Sequence, residues 1–202
     1  DQNLENVQEA LNTTSVWIEK NQNKLTWAVT IIVVLVVGAL ALNTYVIKPK
    51  AVEASNENAK AVAYFMQGDW EKALNGDDAE CIGFQAVADE YKCYQAGKLA
   101  ALYTGVCYYQ MGQFEDAAAY LDKFSADDLT IGPTALQLLG DDYVQMEDYA
   151  KAAKAFTATA KSGNELIAPM SLKKLGFVQM ELGNNAAAKK AFETIKNDYP
   201  TS

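Results

Sequence analysis

The residues that could perform chemistry in this 202-residue chain are acids and thiols, because the sequence contains no histidine. Its absence removes the commonest general base and metal ligand. The acids include three adjacent pairs: Asp77-Asp78, Asp127-Asp128 and Asp141-Asp142. Neighbouring residues on a helix point about 100° apart, so such a pair does not form a shared site by itself. The sequence also lacks a glycine-rich phosphate loop and zinc-ligand spacing. We therefore predict a protein that is not an enzyme and binds neither cofactor nor metal.

The three cysteines are Cys81, Cys93 and Cys107, so at least one cannot join an internal disulfide. A Cys81–Cys93 bond would require a turn between the two residues, because 12 residues of helix would separate them by roughly 18 Å. We interpret all three as small, half-buried hydrophobic residues.

The charge of the chain is concentrated in its longer part. Residues 1–50 hold four acids and four lysines, whereas residues 51–202 hold 22 acids and 13 lysines and so carry the whole net charge of −9. An acidic domain of this kind argues against binding to nucleic acid and against docking flat on anionic lipid.

One stretch, Leu25–Ile47, has 23 residues and no charge. As a helix it would be roughly 34 Å long, enough to cross a hydrocarbon core of about 30 Å. The preceding 24 residues are too long and too acidic for the basic start of a signal peptide. We therefore predict a permanent single-pass transmembrane helix over 25–47 rather than a cleaved signal or a soluble core helix. Gly38 and Ala41 are the small residues at which another membrane helix could approach.

Residues 1–24 are predicted to form an N-terminal amphipathic tail. Apolar and small residues recur at helical spacing along one face: Leu4, Val7, Leu11, Thr14 and Ile18. We expect Asn21–Asn23 to interrupt this helix before the membrane. The face fits either a frayed terminal helix or one that binds a partner or the membrane interface. Two lysines flank the apolar stretch on each side, so the lysine count does not decide its orientation.

From residue 51 onward the sequence predicts helices only, and it repeats. Gly105, Gly140 and Gly176 are 35 and 36 residues apart. Each is followed 12 residues later by an alanine, the matching residues being Ala117, Ala152 and Ala188. Aromatic residues recur between these small ones, and glycines at 112 and 183 are placed to end a helix in the left-handed conformation, with Glu147 replacing the glycine in the middle unit.

This pattern resembles the tetratricopeptide repeat, a helix–turn–helix unit whose helix A lies close to helix B. The resemblance implies an all-α fold in which residues 48–202 form a tetratricopeptide-repeat solenoid of three clear units. A fourth, irregular unit precedes them, with Tyr64, Gly68, Trp70 and Ala73 matching its first half and a turn at 75–78 splitting it. Because repeat arrays normally end in a polar cap, we expect the native protein to continue past Ser202.

The resemblance also implies a concave, partner-binding surface made by the A helices. The residues expected there are Leu102, Val106, Tyr109, Gln137, Asp141, Val144, Lys173, Phe177 and Met180. Only Lys173 among them is basic, so the surface suits an apolar strip on a partner better than a carboxylate clamp.

The anchor followed by an irregular first unit resembles the YfgM-like inner-membrane proteins of bacteria, especially those of Bacteroidota. That resemblance implies a cytoplasmic N-terminus and repeats in the periplasm. It also implies an ancillary role at the Sec translocon, with translocon subunits and a membrane-anchored periplasmic chaperone as protein partners, no nucleic acid, and lipid contact through the anchor. Two alternatives remain open: an envelope-assembly adaptor independent of the translocon, and an import-type receptor with cytosolic repeats.

Overall fold

The computed structural model describes residues 2–77, 80–122, 124 and 130–202, with side chains from residue 16 onward. The fold is all-α over these residues, and its only β feature is an isolated bridge between Asp77 and Cys81. The chain divides into two compact units, one ending at Lys50 and one running from Ala51 to Ser202.

The helical elements follow one another in chain order. They are α1 (Gln2–Leu42), a π-helical segment (Asn43–Ile47), α2 (Lys48–Met66), α3 (Trp70–Asn75), α4 (Gly83–Glu90), α5 (Gln95–Gln110), α6 (Phe114–Leu121), α7 (Ile131–Gln145), α8 (Tyr149–Ala160), α9 (Ile167–Glu181) and α10 (Asn185–Asp198).

Among the described residues, one helical stretch, Val16–Met66, is long and apolar enough to cross a membrane by length and composition. The expected interruption at Asn21–Asn23 is wrong, because α1 continues through these residues. The Asn21 amide donates to the carbonyl of Trp17 at 2.9 Å, a bond within the helix rather than a cap that would end it. Most of the predicted amphipathic face of the tail, at positions 4, 7, 11 and 14, lies outside the described side chains.

The repeat architecture is confirmed by the packing of its three spaced glycines. A Cβ atom added at Gly140 would lie 2.5 Å from Cε1 of Phe156, and one at Gly176 would lie 2.4 Å from Cζ of Phe192. At Gly105 the nearest atom would be Cγ of Leu121, at 2.6 Å. Each glycine therefore lets a helix A pack directly against a large residue of its own helix B, which pairs α5 with α6, α7 with α8 and α9 with α10.

The turns between the paired helices follow the predicted chemistry. Gly112 and Gly183 have φ angles of +74° and +73°, in the left-handed region that favours glycine. In the middle unit Glu147 adopts φ +59° at the same place, so a side chain occupies a conformation that L-residues seldom adopt. Pro133 and Pro169 both lie in the first turn of a helix A, where a missing N–H costs nothing.

The first unit is built differently. The chain turns at Gly68 (φ +75°) between α2 and the short helix α3. A connection then leads into α4, which packs against α5. Asp77 stabilises this connection through two hydrogen bonds. Its Oδ1 accepts one from the backbone N–H of Cys81 at 2.9 Å, and its Oδ2 accepts one from the hydroxyl of Tyr64. Phe84, fully buried, stacks on Tyr103 at 4.8 Å between ring centroids and so joins this unit to the next.

Candidate interaction surface

The nine residues predicted for the concave face lie on three A helices, three on each of α5, α7 and α9. Neighbouring A helices are in contact, α5 with α7 and α7 with α9. These contacts determine how much of each predicted residue is available to a partner.

On α5 the predicted residues pack within the array. Leu102 is only 9% exposed and belongs to a buried cluster with Leu121 and Leu139, against which Val106 also packs. Tyr109 is half-buried, with its ring centroid 5.5 Å from that of Phe114. Burial, together with the nearby carboxylate of Asp141, raises the pKa of the Tyr109 phenol.

On α7 the polar residues already have partners from α9. The Oε1 atom of Gln137 accepts the hydroxyl of Ser171 at 3.0 Å. Both carboxylate oxygens of Asp141 accept hydrogen bonds from Nζ of Lys174, at 2.6 and 2.8 Å. Val144 is half-buried and packs against the cluster around Phe156. The predicted residues of α7 thus hold two repeats together.

On α9 the predicted residues are more exposed, although the ring of Phe177 packs edge-to-face on Phe192 of α10, with 5.7 Å between centroids. Phe177 is 53% exposed and Met180 is 51% exposed. Lys173 is exposed as well, and it forms no ion pair with any residue that the structure describes. Of the predicted surface, the portion most accessible to a partner therefore lies on α9.

Two further exposed residues, at the start of α9 and just before it, were not predicted from the sequence. Leu166 precedes α9 by one residue and Met170 lies in its first turn, and they are 82% and 55% exposed. They lie 11 and seven residues before Phe177, so the helical spacing alone would have found them. Both line a groove of about 640 Å³ between α9 and the end of α10 with the residues that follow it.

Asp142 is a third residue whose role the sequence reasoning missed, since it was considered only as part of an acidic pair. It is fully buried on α7, and neither carboxylate oxygen has a hydrogen-bond partner among the described residues. Burial and the neighbouring Asp141 raise the pKa of Asp142 to about 7. Of the other acidic pairs, Asp78, Asp127 and Asp128 lie outside the described residues.

The cysteines separate into two kinds, and all three are free thiols. Cys81 and Cys107 are buried, and burial raises the pKa of the Cys107 thiol to about 12. Cys93 is exposed, so the interpretation of all three as half-buried hydrophobic residues is wrong for this one: it lies in the turn between α4 and α5, where no helix covers it. Within the described part of the chain, no group of three or more histidine, cysteine and acidic residues could hold a metal ion.

The small residues predicted for helix contacts in the membrane segment, Gly38 and Ala41, are both exposed on α1. A Cβ atom added at Gly38 would meet nothing within 4 Å. The surface around these residues is therefore open within this unit.

Comparison with known proteins adds one match. A family model described as tetratricopeptide repeat matches residues 99–127 and 172–202. These segments fall on the first and third clear units, and the middle unit between them contains both Glu147 and Asp142. No curated protein matches the chain. The chain therefore carries tetratricopeptide repeats in an all-α fold, the repeat architecture typical of protein-interaction scaffolds.

Proposed function

We propose that this protein is a membrane-anchored tetratricopeptide scaffold that serves as an ancillary subunit of the Sec translocon in a bacterial inner membrane. It binds a membrane-anchored periplasmic chaperone, emerging client proteins, or both. The observation that carries this proposal is the combination of one membrane-length apolar stretch with a repeat array that leaves apolar side chains of α9 open to solvent.

The exposed residues support binding rather than catalysis. Phe177 and Met180 offer large apolar groups near several lysines: Lys173 on α9, and Lys189 and Lys196, which line a groove together with Met180. Aromatic residues that become desolvated in an interface commonly carry most of its binding energy. Tyr109 on α5 and Phe177 on α9 are the proposed anchors at the two ends of the binding surface.

The proposed orientation places the N-terminus in the cytoplasm and the repeats in the periplasm. Cys93 provides the test, since it is the exposed thiol of three and the other two are buried. A membrane-impermeant maleimide, applied to cells whose outer membrane has been permeabilised, should label the wild-type chain. Cys93→Ser should abolish the labelling. Labelling that requires lysis of the inner membrane would show that the repeats are cytosolic, in favour of the receptor alternative.

The proposed role is tested by purifying the full chain in a gentle detergent and identifying the subunits that accompany it. We expect translocon subunits and an anchored chaperone. The double variant Tyr109→Ala with Phe177→Ala should keep the array folded and weaken chaperone binding by at least about 2 kcal/mol. Ile82→Ala, which truncates an exposed apolar residue of the first unit, is the matched control.

Two outcomes would overturn parts of this proposal. Purification that recovers envelope-assembly proteins and no translocon subunit would replace the translocon role with the adaptor alternative. A folded double variant with unchanged chaperone affinity would show that the concave residues are not the binding surface. Replacing residues 25–47 by a poly-leucine anchor tests separately whether Gly38 and Ala41 contact the translocon, since loss of its subunits is then expected.

A further inference from the structure

In two of the three clear units, a tyrosine of helix A packs between the preceding helix and the following one. Tyr108 of α5 packs against the buried cluster that contains α4 and stacks on Tyr120 of α6, with 5.8 Å between ring centroids. Tyr143 of α7 packs against the clusters that contain α6 and α8. A step of 35 residues relates these two tyrosines, and a further step of 36 leads to Gln179 on α9. The third unit therefore has an amide where the first two have an aromatic ring.

An open groove of about 450 Å³ adjoins this glutamine. Gln179 lines one side of it, and the other side is formed by residues of α8 and its C-terminal end: Ala153, Lys154, Thr157, Ala158 and Lys161. We call it the α8 groove. The Oε1 atom of Gln179 accepts a hydrogen bond from Asn184, the residue before α10, at 3.1 Å. The space that a tyrosine occupies in the other units is thus left partly open in the third.

The α8 groove lies inside the array, because it is lined by both the second and the third unit. A step of 35 residues relates Lys154 and Thr157 to Ala119 and Asp122 in the preceding unit. Both of these residues are exposed, although two further helix pairs follow them in the chain. This side of a helix B therefore remains accessible when another repeat is stacked after it.

Two exposed lysines without ion-pair partners flank the groove. Lys154 and Lys161 form no ion pair with any residue that the structure describes, and no acidic residue lines the groove. The neighbouring Lys151 is already paired with Asp148, at 2.8 Å. The groove is thus locally positive in a domain that is otherwise acidic, and an occupant with carboxylates is complementary to it.

We propose that the α8 groove binds a short acidic segment of a partner protein through one aromatic side chain. The ring enters beside Gln179, where the other units place their own tyrosine. Acidic residues before and after the ring face Lys154 and Lys161. Neither Tyr109 nor Phe177 lines this groove, so it is a second binding surface that goes beyond the proposed function.

The occupant is an aromatic residue because the molecule already shows that a ring fits this position. At Tyr143 the ring is packed against two clusters, and the ammonium of Lys151 lies 5.2 Å from its centroid. A ring in the α8 groove gains the same two contributions, burial of apolar surface and attraction to a lysine. An extended polyanion such as nucleic acid is disfavoured, since residues 51–202 hold 22 acids against 13 lysines.

A synthetic peptide, acetyl-Gly-Glu-Asp-Tyr-Asp-Glu-Gly-amide, is the probe. One control peptide has alanine in place of tyrosine, and a second has lysines in place of the four acids. Each is titrated into the full chain in detergent micelles, with alanine methyl groups labelled with carbon-13 and observed by NMR. Ala153 and Ala158 report on the groove, and Ala61 and Ala73 in the first unit serve as references. Peptide concentrations extend to about 5 mM, which detects weak binding.

We expect the acidic tyrosine peptide to shift the methyl signals of Ala153 and Ala158, and its alanine control to bind at least about tenfold more weakly. Gln179→Tyr should fill the groove from within and abolish these shifts. The matched control is Gln110→Tyr, at an exposed position on α5, and it should leave binding unchanged.

Charge reversal provides a second, independent variant. Lys154→Glu combined with Lys161→Glu should weaken binding of the acidic peptide by about tenfold and favour the lysine peptide instead. Both positions are exposed, so this variant should keep the array folded even where Gln179→Tyr does not. Lys92→Glu combined with Lys98→Glu, at exposed positions of the first unit, makes the same change in net charge and should leave binding unchanged.

Three results would overturn the inference. They are the absence of methyl shifts at the highest peptide concentration, binding that both groove variants leave unaltered, and concentration-dependent shifts of the chain alone that Gln179→Tyr abolishes. The last would make a second copy of the chain the occupant. Failure here leaves the proposed scaffold function intact, because that function is tested through the concave residues Tyr109 and Phe177.

Discussion

Replacing Asp142 tests whether a buried carboxylate weakens the centre of the repeat array. The equivalent positions are occupied by Cys107 in the preceding unit and Val178 in the following one, and all three residues are buried. Asp142 therefore stands where its neighbours place apolar side chains, and no described group donates a hydrogen bond to it. Such a group is costly to bury in its charged form.

The expected magnitude follows from the raised pKa of Asp142. Folding raises this pKa from 3.8 to about 7, so between these values the folded chain holds the proton more tightly than the unfolded chain. The contribution of Asp142 to stability is therefore most favourable below about pH 4, falls as the pH rises, and levels off above about pH 7. The whole difference corresponds to roughly 4 kcal/mol, of which about 2 kcal/mol falls between about pH 5.5 and pH 8.

Asp142→Val should remove this pH dependence and stabilise the array by about 2 kcal/mol or more at pH 8, because it restores the type of side chain found at Val178. The measurement is urea denaturation of the full chain in detergent micelles, followed by far-ultraviolet circular dichroism at both pH values. Asp141→Asn removes the neighbouring charge but leaves Asp142 in place, so it should retain a fall in stability with pH. Parallel pH profiles for the wild type and Asp142→Val would refute the reasoning.

Three further predictions concern the repeat packing, each measured by the same denaturation. Gly140→Leu should destabilise the array by roughly 3 kcal/mol and Gly140→Ala by less, because a Cβ atom at this position would already lie 2.5 Å from the ring of Phe156. An unchanged denaturation midpoint for the leucine variant would contradict the repeat register. Glu147→Gly should stabilise by about 1 kcal/mol by relieving a positive φ, whereas Glu147→Ala should not, and equal gains would exclude the backbone explanation. A double-mutant cycle of Asp141→Asn with Lys174→Met should give a coupling of about 1 kcal/mol, and zero coupling would show that this pair only positions the helices.

The repeat register could be predicted from the sequence because it depends on local contacts within each helix pair. Gly140 and Phe156 are 16 residues apart, and their types alone indicate close helix packing. The turn at Glu147 could be predicted as well. Glu147 stands where the other two units have glycine, and this position implies the left-handed conformation that it adopts. Contacts that recur in every helix pair leave a periodic pattern of residue types in the sequence, and they can therefore be predicted from it.

Exposure could not be predicted in the same way, since it depends on which helices lie side by side. Val106, Asp141 and Phe177 share one register position, yet the first two are half-buried and the third is 53% exposed. The difference arises because α7 contacts α5 and α9 contacts α7, whereas Phe177 packs against Phe192 of α10 and meets no further A helix in the described part of the chain. The burial of Asp142 was missed for a related reason, because it results from packing between helices. An acidic pair in a sequence by itself predicts a solvent-exposed position.

The contacts among α3 to α10 connect elements adjacent in the chain or one element apart. This local connectivity has a consequence for biosynthesis. The apolar stretch leaves the ribosome before the array, and each helix pair that emerges finds its packing partners already made. Chains dominated by local contacts fold quickly, and repeat arrays can extend a folded nucleus one unit at a time. The array can thus fold vectorially while its C-terminal part is still being synthesised, so little of its apolar core is exposed to aggregation at any moment.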